Sequence, residues 1–390
     1  MTRAALAVAL ACFALLVGSD PASLPPRLNA LVHLDSVRGE NAGPSLDVDG
    51  AGRSAVNDPP ARGRLPLRVK PKSAVPARLV VERDVYLMGT RARLAVLQDD
   101  RTVALAALET ALESLEESEA ILSTWREDSA ISGLNRYPLG KPWAAGSLCA
   151  MFVEIYRWHR ATAGSFDPAI GALIQAWGIH DGGRIPSRDE ITAALAKSGL
   201  DRLTFDRDAC TLARSAGVTI DVGAFGKGEA LDRAAESLTD VVWMIDLGGQ
   251  VSVGGSRTDR LPWTIDIAHP ADRERPLFRV TMRSGSLATS GGSERDHSVD
   301  DRRVGHILDP RTGTPAAFTG SVTVWHERGL IADILSTALY VMGPDDGISW
   351  AETHDVSALY LIPDGDAPRV RVTSSFERRL QPERLAPSAF

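Results

Sequence analysis

Gly305-His306-Ile307-Leu308-Asp309-Pro310-Arg311-Thr312-Gly313-Thr314-Pro315, followed by Ser321-Val322-Thr323-Val324-Trp325 and Ile331-Ala332-Asp333-Ile334-Leu335-Ser336-Thr337-Ala338-Leu339-Tyr340-Val341-Met342, is the stretch on which the reading of this chain turns. The middle run is rich in β-branched residues and reads as a strand. The last run contains neither Gly nor Pro and reads as a helix, which places Asp333 and Thr337 on one face, one turn apart. A carboxylate and a neutral hydroxyl on one face can hold a hard cation. Mg²⁺ fits such a pair because it usually takes only one or two carboxylates and completes its shell with water, carbonyls and phosphate. The same spacing also occurs on solvated or capped helix faces, so spacing alone leaves both readings open.

Working upstream, Val218-Thr219-Ile220-Asp221-Val222-Gly223-Ala224-Phe225-Gly226-Lys227-Gly228-Glu229 reads as a strand ending at Asp221, a glycine loop around a Lys, and a helix from Ala230 to Leu238. Backbone N–H groups and a cation would converge there on phosphate, although the spacing is not that of a Walker A loop. Trp243 to Gly255 reads as two strands about a Gly248-Gly249 bend, and Pro262 to Pro270 is expected to continue that sheet. Leu79 to Val96 reads as a hairpin turning at Met88-Gly89-Thr90. Leu105, Leu108, Leu112, Leu115 and Leu122 mark an amphipathic helix, and Phe152, Ile155, Tyr156 and His159 a second that ends near Gly164. Asp167-Pro168 can cap and open a further helix. A helix near Ile191, a hairpin over Leu203 to Ala213 and a last strand over Arg369 to Val372 complete the reading. Strands and helices mixed in this way, with few regular βαβ repeats, indicate an α+β fold.

The chain has 390 residues, 44% of them hydrophobic and 24% charged, as in soluble globular proteins, and its net charge of −7 argues against a nucleic-acid partner. Met1-Thr2-Arg3 and the apolar run from Ala4 to Val17 have the proportions of a secretory signal, so residues 1–22 are expected to be a signal peptide or N-terminal anchor. Export to the periplasm or to the inner-membrane surface follows, with lipidation at Cys12 weakly supported by Ala9-Leu10-Ala11-Cys12. Residues 23–78 read as a disordered Pro/Gly-rich tether, leaving 79–390 as the folded domain. Cys149 and Cys210 form no CxxC. Two buried thiols are the plainer expectation, with pairing in an oxidising compartment left open.

Several ordered blocks between about Met88 and Gly343 resemble the ApbE family of FAD:protein FMN transferases. They are Met88-Gly89-Thr90, Leu122-Ser123-Thr124-Trp125 through Asn135, Gly164-Ser165-Phe166-Asp167-Pro168 through Trp177-Gly178, the Asp221 to Lys227 loop, Asp246-Leu247-Gly248-Gly249-Gln250, Leu287-Ala288-Thr289-Ser290-Gly291, and the opening stretch. The chain departs from the family pattern at Ala169 for Thr, Asp246 for Asn and Gln250 for Asp. Gly292-Ser293 stands where Asp and an aromatic ring are common.

The resemblance implies an ApbE-like, T-fold-related domain of mixed and antiparallel sheets with packed helices and an FAD cleft. It implies contacts to FAD from Met88, Trp125, Ser165, Phe166, Asp167, Asp221, Lys227, Thr289, His306 and Ile307. Mg²⁺ would be held by Asp333, Thr337 and the Ala224 main-chain carbonyl, and His306 and Asp333 would be the catalytic residues. The implied reaction moves FMN from FAD to a Thr hydroxyl of a target protein and releases AMP; His306, the one histidine inside these blocks, is the candidate to deprotonate or position the Thr, with orienting FAD through its ring or backbone as the alternative. Two alternatives stay open: an Mg²⁺-dependent FAD pyrophosphatase that releases FMN and AMP, and a flavin-binding protein without chemistry. Trp125 suits stacking on a flat ring but would also fill a core.

Overall fold

The computed structural model describes residues 79–255, 262–292, 296–299, 302–365 and 367–386. The expectations for residues 1–22 and 23–78, and the ring lost at Ser293, lie outside the described residues.

Leu79–Leu87 (β1) and Thr90–Gln98 (β2) form the first hairpin, and its turn at Met88 and Gly89 needs positive φ at both residues. Asp100 caps Arg101–Leu122 (α1) by accepting from the Thr102 and Val103 N–H groups. Then come Ala130–Arg136 (α2), Trp143–Ala144 (β3), Cys149–Ala161 (α3), Gly171–Trp177 (α4), Arg188–Leu195 (α5), Leu203–Asp206 (β4) and Thr211–Arg214 (β5). Gly226–Glu236 (α6) leads to Val242–Leu247 (β6), Gln250–Gly254 (β7), Trp263–His269 (β8), Asp272–Met282 (β9) and Gly285–Gly291 (β10). Short pairs His297–Val299 (β11) with Arg302–Val304 (β12), and Leu308–Asp309 (β13) with Thr314–Pro315 (β14), precede Ser321–His326 (β15) and Gly329–Thr353 (α7). Ser357–Ile362 (β16), Arg369–Val372 (β17), Ser374–Leu380 (α8) and Glu383–Arg384 (β18) end the described chain.

An eight-stranded antiparallel sheet runs β1-β2-β6-β7-β10-β15-β16-β17. Its period-2 pattern separates two cores. Leu94, Val96, Trp243 and Ile245 pack with α1 and α6 on one face, while Ala95, Val242, Met244 and Val251 face β8, β9 and α8 on the other. Helix α7 lies on β15 and β16 through Leu335 and Leu339. The α+β expectation holds, with mixed helices and antiparallel sheets throughout.

Several local expectations are corrected. Residues 218–222 form no strand, and α6 starts at Gly226 rather than Ala230. Strand β8 joins a separate three-stranded sheet, β18-β9-β8, instead of continuing the large one. The tail carries a helix, α8, capped by Thr373. Asp167 opens no helix: its Oδ1 accepts from the Ala169 N–H and its Oδ2 from the Leu200 N–H, and α4 begins later, after Ile170. Cys149 and Cys210 are joined in a disulfide that ties the start of α3 to the β4–β5 turn, overturning the expectation of two thiols. The expected helix end at Met342 is a kink at Gly343-Pro344, beyond which helical turns continue to Thr353.

Candidate active site

The site forms where α6 and α7 begin side by side. A Cβ at position 228 would sit 2.2 Å from the Gly329 carbonyl oxygen, and one at 329 would sit 2.8 Å from the Gly228 carbonyl oxygen, so both glycines are needed for the helices to approach this closely. Asp232 accepts from the N–H groups of Gly329 and Leu330 and so caps α7 from the neighbouring helix. Burial pushes the Asp232 carboxyl up to about 6, against those two N–H donors. Gln250 Nε2 donates to the Gly329 carbonyl at 2.9 Å.

These contacts set the position of Asp333 one turn into α7. Its Oδ2 accepts from the Gly228 N–H at 3.0 Å, and its Oδ1 lies 3.3 Å from Lys227 Nζ, with the carboxylate only 6% exposed. The Gly226 N–H donates to the Val222 carbonyl and the Glu229 N–H to the Phe225 carbonyl, so these two groups take no part in the expected cradle of backbone donors. Lys227 adds a side-chain cation at the same helix start, bordering the cavity.

Asp333, Thr337 and Ala224 line one cavity of about 400 Å³, together with Ser165, Thr289 and His306. Phe166, Asp167 and Ile307 also border it. Met88 and Trp125 line an adjoining cavity of about 440 Å³, and His180, Asp221, Gly223 and Lys227 belong to both cavities. Every residue proposed from the sequence therefore borders a cleft with two lobes. Trp125 is 71% exposed, which excludes core filling and leaves a flat face open to a ligand.

Individual roles differ within the cleft. Ser165 is buried, and its hydroxyl finds no partner among the described residues, as expected of a group that awaits a ligand. Asp167 spends both oxygens on backbone N–H groups, and burial raises its pKa, so it braces the loop. Phe166 is fully buried and belongs to the core beneath the cavity. Thr289 pairs hydroxyl to hydroxyl with Thr323 at 2.9 Å. His306 Nδ1 lies 2.8 Å from Asp296 Oδ1, which leaves Nε2 for the cavity.

Asp333, Thr337 and Ala224 line the same cavity, and a carboxylate, a hydroxyl and a main-chain carbonyl are hard oxygens of the kind Mg²⁺ takes. Among the described residues, no group of three or more His, Cys, Asp or Glu side chains could hold a metal.

Sequence reasoning missed His180, Arg273 and Asp296. His180 Nε2 lies 3.1 Å from Asp221 Oδ2 and its ring meets Trp125 edge-on at 5.1 Å, so it stands at the junction of the two lobes. Its place two residues beyond Gly178, at the end of a recognised block, was the only available signal. Arg273 reaches the cavity from the β8–β9 hairpin, which no motif marked.

A family model described as the ApbE family matches residues 88–360. A Treponema pallidum protein named FAD:protein FMN transferase is 30% identical over 322 residues, covering 77% of this chain and 88% of its own length. One of the same name from Vibrio cholerae is 29% identical over 301 residues, covering 74% of this chain and 90% of its own. Among solved structures, the ApbE protein of Thermotoga maritima superposes with a TM-score of 0.71 at 28% identity, over 77% of this chain and 99% of that one.

Proposed function

This chain belongs to the ApbE family, and from that premise we propose that it transfers FMN from FAD to a Thr hydroxyl of a target protein, releasing AMP, with Mg²⁺ as its metal. The observation that carries the reading is the convergence of Asp333, Thr337, Ala224, Lys227 and His306 on one cavity.

In this reaction the Thr oxygen bonds to the FMN-side phosphorus while the bond from that phosphorus to the bridging oxygen breaks. The bridging oxygen leaves with AMP. The Thr proton passes to His306 Nε2, the ring nitrogen not engaged by Asp296. Lys227 supplies a positive charge beside the phosphates, and Asp333 holds that side chain in place. Asp333, Thr337 and the Ala224 carbonyl are the residues that would hold Mg²⁺; when bound, it neutralises charge on the pyrophosphate oxygens. Trp125 and Met88 offer an apolar surface to a ring of FAD, and Ser165 offers an unpartnered hydroxyl.

Incubation with FAD, Mg²⁺ and a Thr-bearing peptide tests the proposal. Transfer yields a flavin-fluorescent peptide band. Free FMN and AMP with unlabelled peptide would indicate a pyrophosphatase, and unchanged FAD a binding protein.

We also propose that the enzyme works outside the cytoplasm. The Cys149–Cys210 disulfide supports an oxidising compartment, as does the signal-like start of the sequence. Among the described residues no helix is long and apolar enough to cross a membrane, and the signal-like N-terminus is the segment proposed for any membrane association. Fractionation with detection of residues 79–390 checks the compartment.

A further inference from the structure

Asp296 carries no motif, and no step of the transfer uses it. Its Oδ1 accepts from the His306 backbone N–H at 3.0 Å and lies 2.8 Å from His306 Nδ1. Its Oδ2 accepts from Arg303 Nε at 2.6 Å, and Arg303 Nη2 donates to the Gly292 carbonyl. The Asp296 side chain is 10% exposed, so this is a shielded contact. Burial alone would raise its pKa, but the hydrogen bonds from the His306 ring and backbone and from Arg303 hold it below the ordinary carboxylate range.

An ionised carboxylate only accepts hydrogen bonds. Contact with Nδ1 therefore places the ring proton on Nδ1 and leaves the lone pair on Nε2. Gly292 makes room for the arrangement. A Cβ there would lie 2.3 Å from Arg303 Nη2, 2.8 Å from Asp296 Oδ2 and 3.1 Å from the Tyr340 hydroxyl. Position 292 is where this chain departs from a pattern that often carries Asp. Here the space next to its backbone is taken by the Asp296–Arg303 pair.

We propose that Asp296, locked by Arg303 and accommodated by Gly292, is a positioning residue that holds His306 as the Nδ1–H tautomer with Nε2 toward the acceptor hydroxyl. The inference rests on the reading of His306 as the base.

The test uses the full chain with Mg²⁺, FAD and a Thr-bearing peptide, and compares the native protein with Asp296→Ala, Asp296→Asn, Gly292→Ala and His306→Ala. Asp296→Ala is expected to lower kcat roughly tenfold to a hundredfold, part of the ~10²–10⁴ that a positioned base contributes, while KM for FAD stays within about twofold. In ¹⁵N spectra of histidine-labelled protein, assigned by loss of the signal in His306→Ala, His306 should leave the Nδ1–H form. Asp296→Asn keeps an acceptor oxygen and should recover part of both signals. Gly292→Ala should reproduce the kcat loss with Asp296 and His306 chemically intact; with Asp296→Asn it carries the comparison should Asp296→Ala fail to fold. An Asp296→Ala protein with native kcat and an Nδ1–H tautomer, beside an inactive His306→Ala, overturns the positioning role and leaves the base reading standing. Full transfer by His306→Ala overturns the base reading instead.

Discussion

Asp333 and His306 border the same cavity, yet they are held by different means. Asp333 sits one turn into α7, whose start is set by Asp232, by Gln250 and by the glycine contact between positions 228 and 329. His306 lies between short strands and is aimed by one carboxylate ten residues upstream in the chain. Regular elements set a side chain through many backbone contacts that any family member must make. A loop sets it through a few side-chain contacts, which one chain can supply from a different residue than another. The geometry around Asp333, the proposed metal side, should therefore be intolerant of change, and that around His306, the proposed base, open to substitution by other partners.

Replacing residues on the helix-held part should give the largest effects. Asp333→Ala removes the only carboxylate in the proposed ligand set, and transfer measured by gel fluorescence should fall about 10³-fold, several kcal/mol of transition-state stabilisation. Excess Mg²⁺ should recover little of it. A variant that retains a tenth or more of native transfer would break the contrast.

The disulfide provides a control remote from both parts. Cys149→Ser with Cys210→Ser opens a link across a sequence separation of 61 residues. Stability should fall by about 2–4 kcal/mol in urea unfolding, while kcat of the folded protein stays native.

Paired glycine substitutions sharpen the comparison. Gly228→Ala must push against the Gly329 backbone, with a built Cβ 2.2 Å from its carbonyl oxygen. It should lower stability by about 2–3 kcal/mol and depress transfer. Gly305→Ala, beside His306, meets its nearest neighbour at an ordinary 3.4 Å and should change stability by less than about 0.5 kcal/mol. Equal losses at the two positions would contradict the difference in rigidity.

One substitution should bring a gain. Asp246 is buried, its Oδ1 accepts from the Gly249 N–H, and burial pushes its carboxyl up to about 6 despite nearby Arg273 and Arg93. With an unfolded value near ~3.9, the native state holds an extra proton between the two values, so this group's contribution makes stability fall as pH rises from about 4 to about 6. Asp246→Asn, the residue common in the family pattern, keeps the acceptor and removes the charge. It should raise stability at pH 7 by about 1–3 kcal/mol and flatten that part of the pH profile in thermal unfolding.

The same contrast explains what could be read from the sequence. That Asp333 and Thr337 share a helix face was legible from their spacing, but their role and that of the glycine loop at Lys227 were legible only through the resemblance to the ApbE family. The hairpins at Met88-Gly89 and Gly248-Gly249 were legible from their turn residues. Asp296 was not, since its partner is fixed by loop closure rather than by any period. Asp167 was misread as a helix cap because an Asp-Pro pair fits that role locally, whereas its second oxygen is claimed by the distant Leu200. The separate placement of β8 depends on which sheet face offers a matching apolar surface, here Val242, Met244 and Val251. No strand pattern encodes that choice.

The most direct measurement is the intact mass of a Thr-bearing acceptor peptide after incubation with this protein, FAD and Mg²⁺, with the nucleotides quantified in the same sample. The account predicts a peptide heavier by one phosphoester-linked FMN and an equal amount of AMP, both lost in Asp333→Ala. AMP accompanied by free FMN and an unmodified peptide, with every acceptor offered, would contradict it.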